Sequence, residues 1–278
     1  MTDSSNPLFK HFRQPAIYIK LPSGGAYWPE NALSLPVTGE IPVYSMTTKD
    51  EITLRTPDAL LNGSGVVSVI QSCIPEIKNA WDMPSIDVDA ILVAIRIASY
   101  TNMMEVDAKC PKCDEENSYN IDLNNVLGSI RAPNYNEQLQ VDGLTIKFKP
   151  RKYSEVTKAN LVNFEEQKLL NTIRDVTLND AEKTEQFTNH LTRIVEMTND
   201  LYADSIEYIL TEDGVKVTNH AYISEFLKNT GRQITVKVKD ALTAHAETAK
   251  IKPVNVACSS CEHNFDISIS FDYSNFFA

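Results

Sequence analysis

The sequence contains no apolar stretch able to cross a membrane. Its longest run, Ala90 to Ile95, stops at Arg96, far short of the roughly 20 residues a span requires. The opening residues, MTDSSNPLFKHF, lack the apolar core of a secretory signal. The expectation is a protein that stays in the cytosol where it is made. No cluster of five or more Lys and Arg occurs, and the formal net charge is −11. Such a chain repels phosphate backbones, which disfavours general nucleic-acid binding. Catalytic signatures are missing as well: there is no G-x-x-x-x-G-K-[ST], no G-x-G-x-x-G after a strand, no H-E-x-x-H and no G-x-S-x-G. His11, His190, His220 and His245 are scattered without catalytic spacing. The carboxylates of Asn163–Lys168 read as a solvated helix face, not as an acid–base pair. The expectation is a scaffold and not an enzyme.

What is present is enough apolar material for a core. Of 278 residues, 42% are hydrophobic, which excludes a disordered chain. Residues 1–45 read as an extended N-terminal arm with a hairpin. Ala16–Leu21 alternates, Pro22-Ser23-Gly24-Gly25 is a turn signal, and Ala26-Tyr27-Trp28 is placed to return as a partner strand. Residues 46–130 read as a helical region leading to a first pair of cysteines. Thr48 and Glu51 fit a capping box, and a helix from there should end before Pro57. Ser64 is placed to cap a second helix. A third, Ser85 to Tyr100, is apolar nearly all round and so predicted to be central and buried, with Arg96 at its edge.

Residues 131–250 read as a hairpin and helical insertion. Val141-Asp142-Gly143-Leu144 is a strong hairpin signal, and Thr211-Glu212-Asp213-Gly214 marks a second. Amphipathic helices are predicted over 154–172 and 180–201, and shorter ones over 219–228 and 230–248. Residues 251–278 hold a second cysteine pair between strands and then a tail ending in Phe276 and Phe277, read as packed.

Of five cysteines, four form two Cys-x-x-Cys units, Cys110/Cys113 and Cys258/Cys261. Their flanks repeat one pattern. Val106-Asp107-Ala108-Lys109 precedes the first, and Tyr119, Ile121 and Leu123 alternate after it. Val254-Asn255-Val256-Ala257 precedes the second, and Phe265, Ile267 and Ile269 alternate after it. Each is a hairpin with cysteines at its tip. Two intervening residues let a turn aim both sulfurs at one ion, and structural zinc takes four such ligands in a tetrahedron. In a reducing cytosol such pairs read as metal ligands before disulfides. The reading is a split zinc ribbon on Cys110, Cys113, Cys258 and Cys261. Iron, or a redox pair, is the alternative, although Asp114, Glu115 and Glu116 disfavour a free thiolate. His263 is read as a neighbour, since four sulfurs fill the tetrahedron, and Cys73 as a small buried residue. The fold class is α+β, a mainly helical body with several β-hairpins, closed by the split four-cysteine zinc ribbon. Joining cysteines so far apart would restrict the unfolded chain strongly.

Several stretches taken in order resemble the T4-type bacteriophage baseplate hub family of contractile-tailed phages. They are Ile19–Gly25, Met46–Glu51, Pro57–Gly63, Asp89–Arg96 and Cys110-Pro111-Lys112-Cys113, together covering about residues 17–125. The resemblance implies a non-catalytic structural subunit in the virion tail, assembled in the host cytoplasm. It implies other hub and tail proteins as partners, the tape-measure protein among them, and a homo-oligomer within the assembled tail. Two alternatives stay open: a tail assembly chaperone for the tape-measure protein, and a zinc-ribbon nucleic-acid-binding protein.

Overall fold

A computed structural model describes residues 7–56, 62–175, 180–269 and 276–277, without the side chains of Phe9 and of 169–187. The fold is α+β. The chain divides into two compact units: residues 1–80, 86–130 and 251–278 form one, and residues 81–85 and 131–250 form the other.

The first unit is built around a helix that is buried on every side. Strand β1 (Pro15–Ile19) pairs antiparallel with β2 (Ile41–Tyr44), with Ile19 opposite Ile41. Helices α1 (Thr48–Leu54) and α2 (Ser64–Cys73) pack on each other, and α3 (Val88–Ser99) runs against both strands. Val88 and Ala90 through Ile95 are all buried. Several of these residues are β-branched, which weakens intrinsic helix propensity. Burial offsets that weakness, at about 1.5–3 kcal/mol for each large side chain removed from water. Val66, Val69 and Ile70 of α2 meet the same core at helical spacing.

Several local expectations differ from the structure. Ala26–Trp28 is not a strand: Ala26 and Tyr27 lie in a turn, Tyr27 with φ 68°, and the Trp28 indole donates to the Asp87 carboxylate at 2.8 Å. The partner of β1 is supplied by residues 41–44 instead. The capping box lies one residue earlier, on Thr47 and Asp50. Gly63, with φ 76°, stands at the N-cap of α2, so Ser64 is already inside the helix. The predicted third helix begins as a single 3-10 turn, Ser85–Asp87, before α3 proper.

Two buried carboxylates tie the loops down. Asp87 is wholly buried and accepts from the Ser23 amide (2.8 Å), the Ser23 hydroxyl (2.6 Å) and Trp28. Burial pushes its carboxyl above the ordinary range, against the pull of those donors. Asp50 accepts from Thr47 and Ser72 and lies 3.7 Å from Arg13, whose guanidinium also donates to the carbonyls of Ser45 and Ser72. At the other end of α3, Arg96 stacks over Tyr100 and Phe276, and the Tyr100 hydroxyl donates to the Phe277 carbonyl at 3.0 Å. Phe276 and Phe277 are buried; residues 270–275 of the tail lie outside the described residues. Cys73 is buried at the end of α2, where burial and Asp50 push its thiol up to about 12. Strands β3 (Met103–Lys109) and β4 (Glu116–Asp122) form a hairpin followed by α4 (Leu123–Ser129).

The second unit holds a four-stranded antiparallel sheet in sequential order: β5 (Gln138–Val141), β6 (Leu144–Phe148), β7 (Ile206–Leu210) and β8 (Lys216–Val217). Asp142 and Gly143 both have positive φ, 46° and 74°, the geometry that a two-residue hairpin between twisted strands requires. Between β6 and β7 the chain runs out along α5 (Tyr153–Asp175) and back along α6 (Asp180–Asp204). Helices α7 (His220–Asn229) and α8 (Arg232–Ala249) complete the unit. The α8 segment is helical although Ile234, Val236 and Val238 alternate; only Ile234 and Val238, four apart, are buried.

The Asn163–Lys168 stretch corrects the solvated-face reading. Glu166 is only 3% exposed and accepts from His190 Nδ1 (2.6 Å) and Arg193 (2.9 Å). It falls on the same helical face as Ala159 and Val162, seven and four residues earlier, and that face meets α6. Its neighbours Glu165, Gln167 and Lys168 are exposed.

Candidate metal centre

Both cysteine pairs lie at hairpin tips within the first unit. The first tip joins β3 to β4, which pair in unbroken register from Met103↔Asp122 to Lys109↔Glu116. The second joins β9 (Val254–Ala257) to β10 (Asn264–Ile267), in register from Ala257↔Asn264 to Val254↔Ile267.

The two turns share one hydrogen-bond pattern. In the first, the Cys110 amide donates to the Glu115 carbonyl (2.9 Å) and the Asp114 amide to the Cys110 carbonyl (3.0 Å). In the second, the Cys258 amide donates to the His263 carbonyl and the Glu262 amide to the Cys258 carbonyl, both at 2.9 Å. The residue after each second cysteine is left-handed, Asp114 at φ 60° and Glu262 at φ 55°. A non-glycine residue there is unfavourable. That both turns adopt it shows one backbone shape imposed twice, the shape that turns two sulfurs inward.

All four sulfurs lie within 4.8 Å of one another. Cys113 and Cys258 are 3.6 Å apart, and Cys110 and Cys261 3.8 Å. A disulfide would bring them to about 2.05 Å, and the four cysteines are free thiols. A tetrahedral ion with bonds of about 2.3 Å spaces its sulfurs about 3.8 Å apart. The donor set therefore fits a four-coordinate, thiophilic ion, and the group could hold one. Cys110 and Cys258 are buried, Cys261 is half-buried and Cys113 is exposed.

The backbone also prepares the Cys258 sulfur for charge. Amides of Ser260 and Cys261 point at the Cys258 sulfur and lower its thiol to about 7. The Glu115 amide does the same for Cys113, yet the crowding of neighbouring thiols leaves that group up at about 12. Four thiolates this close would repel one another strongly. A divalent ion removes that conflict.

The hairpins also meet directly. The Asn117 side chain accepts from the Ser259 hydroxyl (2.5 Å), and its amide group lies 3.8 Å from the Cys258 sulfur. Tyr119 meets Phe265 edge-on, with ring centroids 5.9 Å apart at 84°. The two aromatics were legible as the first alternating positions after each pair. Nothing in the sequence singled out Asn117, which bridges to the other hairpin only in three dimensions. His263 contributes its carbonyl to the turn. Lys109 pairs with Asp114 at 3.2 Å on the exposed side.

The chain matches the profile of a known family, the T4 bacteriophage base plate protein, over residues 18–278. It belongs to that family. The match runs far beyond residues 17–125, where the resemblance had been visible, and takes in both cysteine hairpins. No curated protein and no solved structure is matched. Membership indicates a structural protein of the virion tail baseplate, with other tail proteins as partners. Among the described residues, no helix is long and apolar enough to cross a membrane.

Proposed function

We propose that this base plate family member is a structural subunit of the baseplate hub of a contractile-tailed phage, and that Cys110, Cys113, Cys258 and Cys261 hold a structural zinc ion. The observation that supports the metal is the pair of matching turns that bring four free sulfurs within 4.8 Å. Zinc would supply charge neutralisation and a rigid four-way joint, with no open position for chemistry. What the chain itself does is bring two distant stretches of sequence to one point, so that the hairpins present a fixed surface to neighbouring tail proteins. Assembly in the host cytoplasm, where thiols stay reduced, suits that site.

A second reading, an assembly chaperone for the tape-measure protein, draws on exposed apolar side chains of the long helices: Phe164 on α5, and Leu191 and Val195 on α6. These would suit a partner helix. Counting the protein in purified virions against a known baseplate subunit separates the two. A fixed small-integer ratio supports the hub subunit, and absence from virions with abundance in infected lysate supports the chaperone. Metal analysis of protein from zinc-replete cells tests the site; less than half a zinc per chain rejects it.

A further inference from the structure

The arrangement of the four sulfurs carries a second property, which rests on the zinc reading above. The contacts of 3.6 Å (Cys113–Cys258) and 3.8 Å (Cys110–Cys261) both run from one hairpin to the other. We propose that on oxidation by a peroxide the site closes into two crossed disulfides, Cys113–Cys258 and Cys110–Cys261, so that the hairpins stay joined after the metal leaves.

Accessibility sets the order of events. Cys113 is exposed, whereas Cys258 is buried beside it. Held as a thiolate by the ion, Cys113 would attack the peroxide; its sulfur takes one oxygen to give a sulfenic acid, and hydroxide leaves. The Cys258 thiolate then attacks that sulfur, the S–S bond forms, and the second oxygen leaves as hydroxide, which a proton converts to water. In sum, two thiols and one peroxide give one disulfide and two waters. Two sulfurs are oxidised by one electron each, and the O–O bond is reduced by two. With two ligands gone, a tetrahedral ion is no longer held, and Cys110 and Cys261 react likewise with a second equivalent.

Backbone geometry favours the crossed outcome. Within a turn, both sulfurs are aimed at a common centre by the paired hydrogen bonds and by the left-handed residue at Asp114 or Glu262. Drawing them together would distort that turn. Between hairpins, the approach needs only that two small sheets move closer, with no ion between them. Crossed bonds also retain the long closure between residues 113 and 258, which a disulfide inside each turn would release. A virion component leaves a reducing cytosol for an oxidising exterior, and this pairing keeps the base of the unit closed in both.

The test uses the full chain purified with its metal, treated with stepwise hydrogen peroxide. A chromogenic chelator follows released zinc, and mass spectrometry of the unreduced digest maps the disulfides. The expected result is release of the bound zinc together with peptides linked Cys113–Cys258 and Cys110–Cys261, both reversed by dithiothreitol. Disulfides Cys110–Cys113 and Cys258–Cys261, or sulfinic acids in place of disulfides, would overturn the proposal. A Cys73→Ser chain must give the same map; a map that changes would also overturn it. If the untreated protein holds no zinc, the zinc reading fails by itself. The disulfide map of that metal-free chain still decides the crossed pairing.

Discussion

The core around α3 and the paired cysteine hairpins belong to the same unit yet are held by different physics. Around α3, side chains from two strands and the neighbouring helices exclude water, and Val88 and Ala90 through Ile95 are all buried. In the hairpins, exposure alternates along β3 and β9, and of their strand residues only Ile121 and Ile267 are buried. Two-stranded sheets of this kind are marginal in water without further support. The core needs no ligand to explain it. The hairpins have four sulfurs where a core would be. The comparison teaches that a small β element can gather thiol side chains at the place where a larger element would pack apolar ones.

Among changes that would break this contrast, the largest effect comes from the sulfurs. Cys258→Ser should abolish stoichiometric zinc, read by elemental analysis. It should also expose the amides of β3, β4, β9 and β10 to hydrogen exchange while α3 stays protected. A structural zinc contributes on the order of 10 kcal/mol to folding of small domains, so chelation of the wild-type chain should produce the same exchange pattern. Loss of protection in α3 to the same extent would break the comparison. Next in size, Leu92→Ala should lower unfolding free energy by about 2–5 kcal/mol in urea, with zinc content unchanged.

Smaller still, Asp87→Ala leaves the Ser23 and Trp28 donors buried without an acceptor and should cost about 1–3 kcal/mol. Tryptophan fluorescence should report the change at Trp28. At the hairpins, Asn117→Ala removes the Ser259 link but no ligand, so it should raise the zinc dissociation constant by about 10-fold without abolishing binding. The smallest change is Lys109→Ala. Its partner Asp114 is exposed, and such pairs contribute at most about 1 kcal/mol; zinc affinity and unfolding midpoint should both stay close to wild type.

Much of the secondary structure was legible because its signals are local. Asp142-Gly143 announces its hairpin through the φ values that only such residues take readily, and the structure has both. The all-round apolar pattern of residues 88–95 announces a central helix, and it is one. The repeated flanks of the cysteine pairs announce two hairpins, and both are present. The errors also have physical causes. Residues 26–28 carry strand-forming side chains, but a buried carboxylate 59 positions further along captures Trp28 and holds the segment as a turn. Thr47 and Thr48 are chemically alike, so neighbouring boxes compete, and the one with Asp50 wins because Asp50 also meets Arg13 and Ser72. Glu166 looked solvated because a carboxylate gives no local sign that a histidine from another helix will reach it.

Composition, turn chemistry and periodicity were enough to determine that this protein has a buried helical core, several hairpins and two turns with paired cysteines, since each depends on residues within a few positions of one another. Tertiary structure alone decided which strand pairs with β1 and that Asp87 and Glu166 are buried acceptors. It also decided that two cysteine pairs 145 positions and more apart along the chain converge within 4.8 Å, with their close contacts crossing between hairpins. Those outcomes depend on where distant segments meet, and distance along a chain carries no force that a local pattern records.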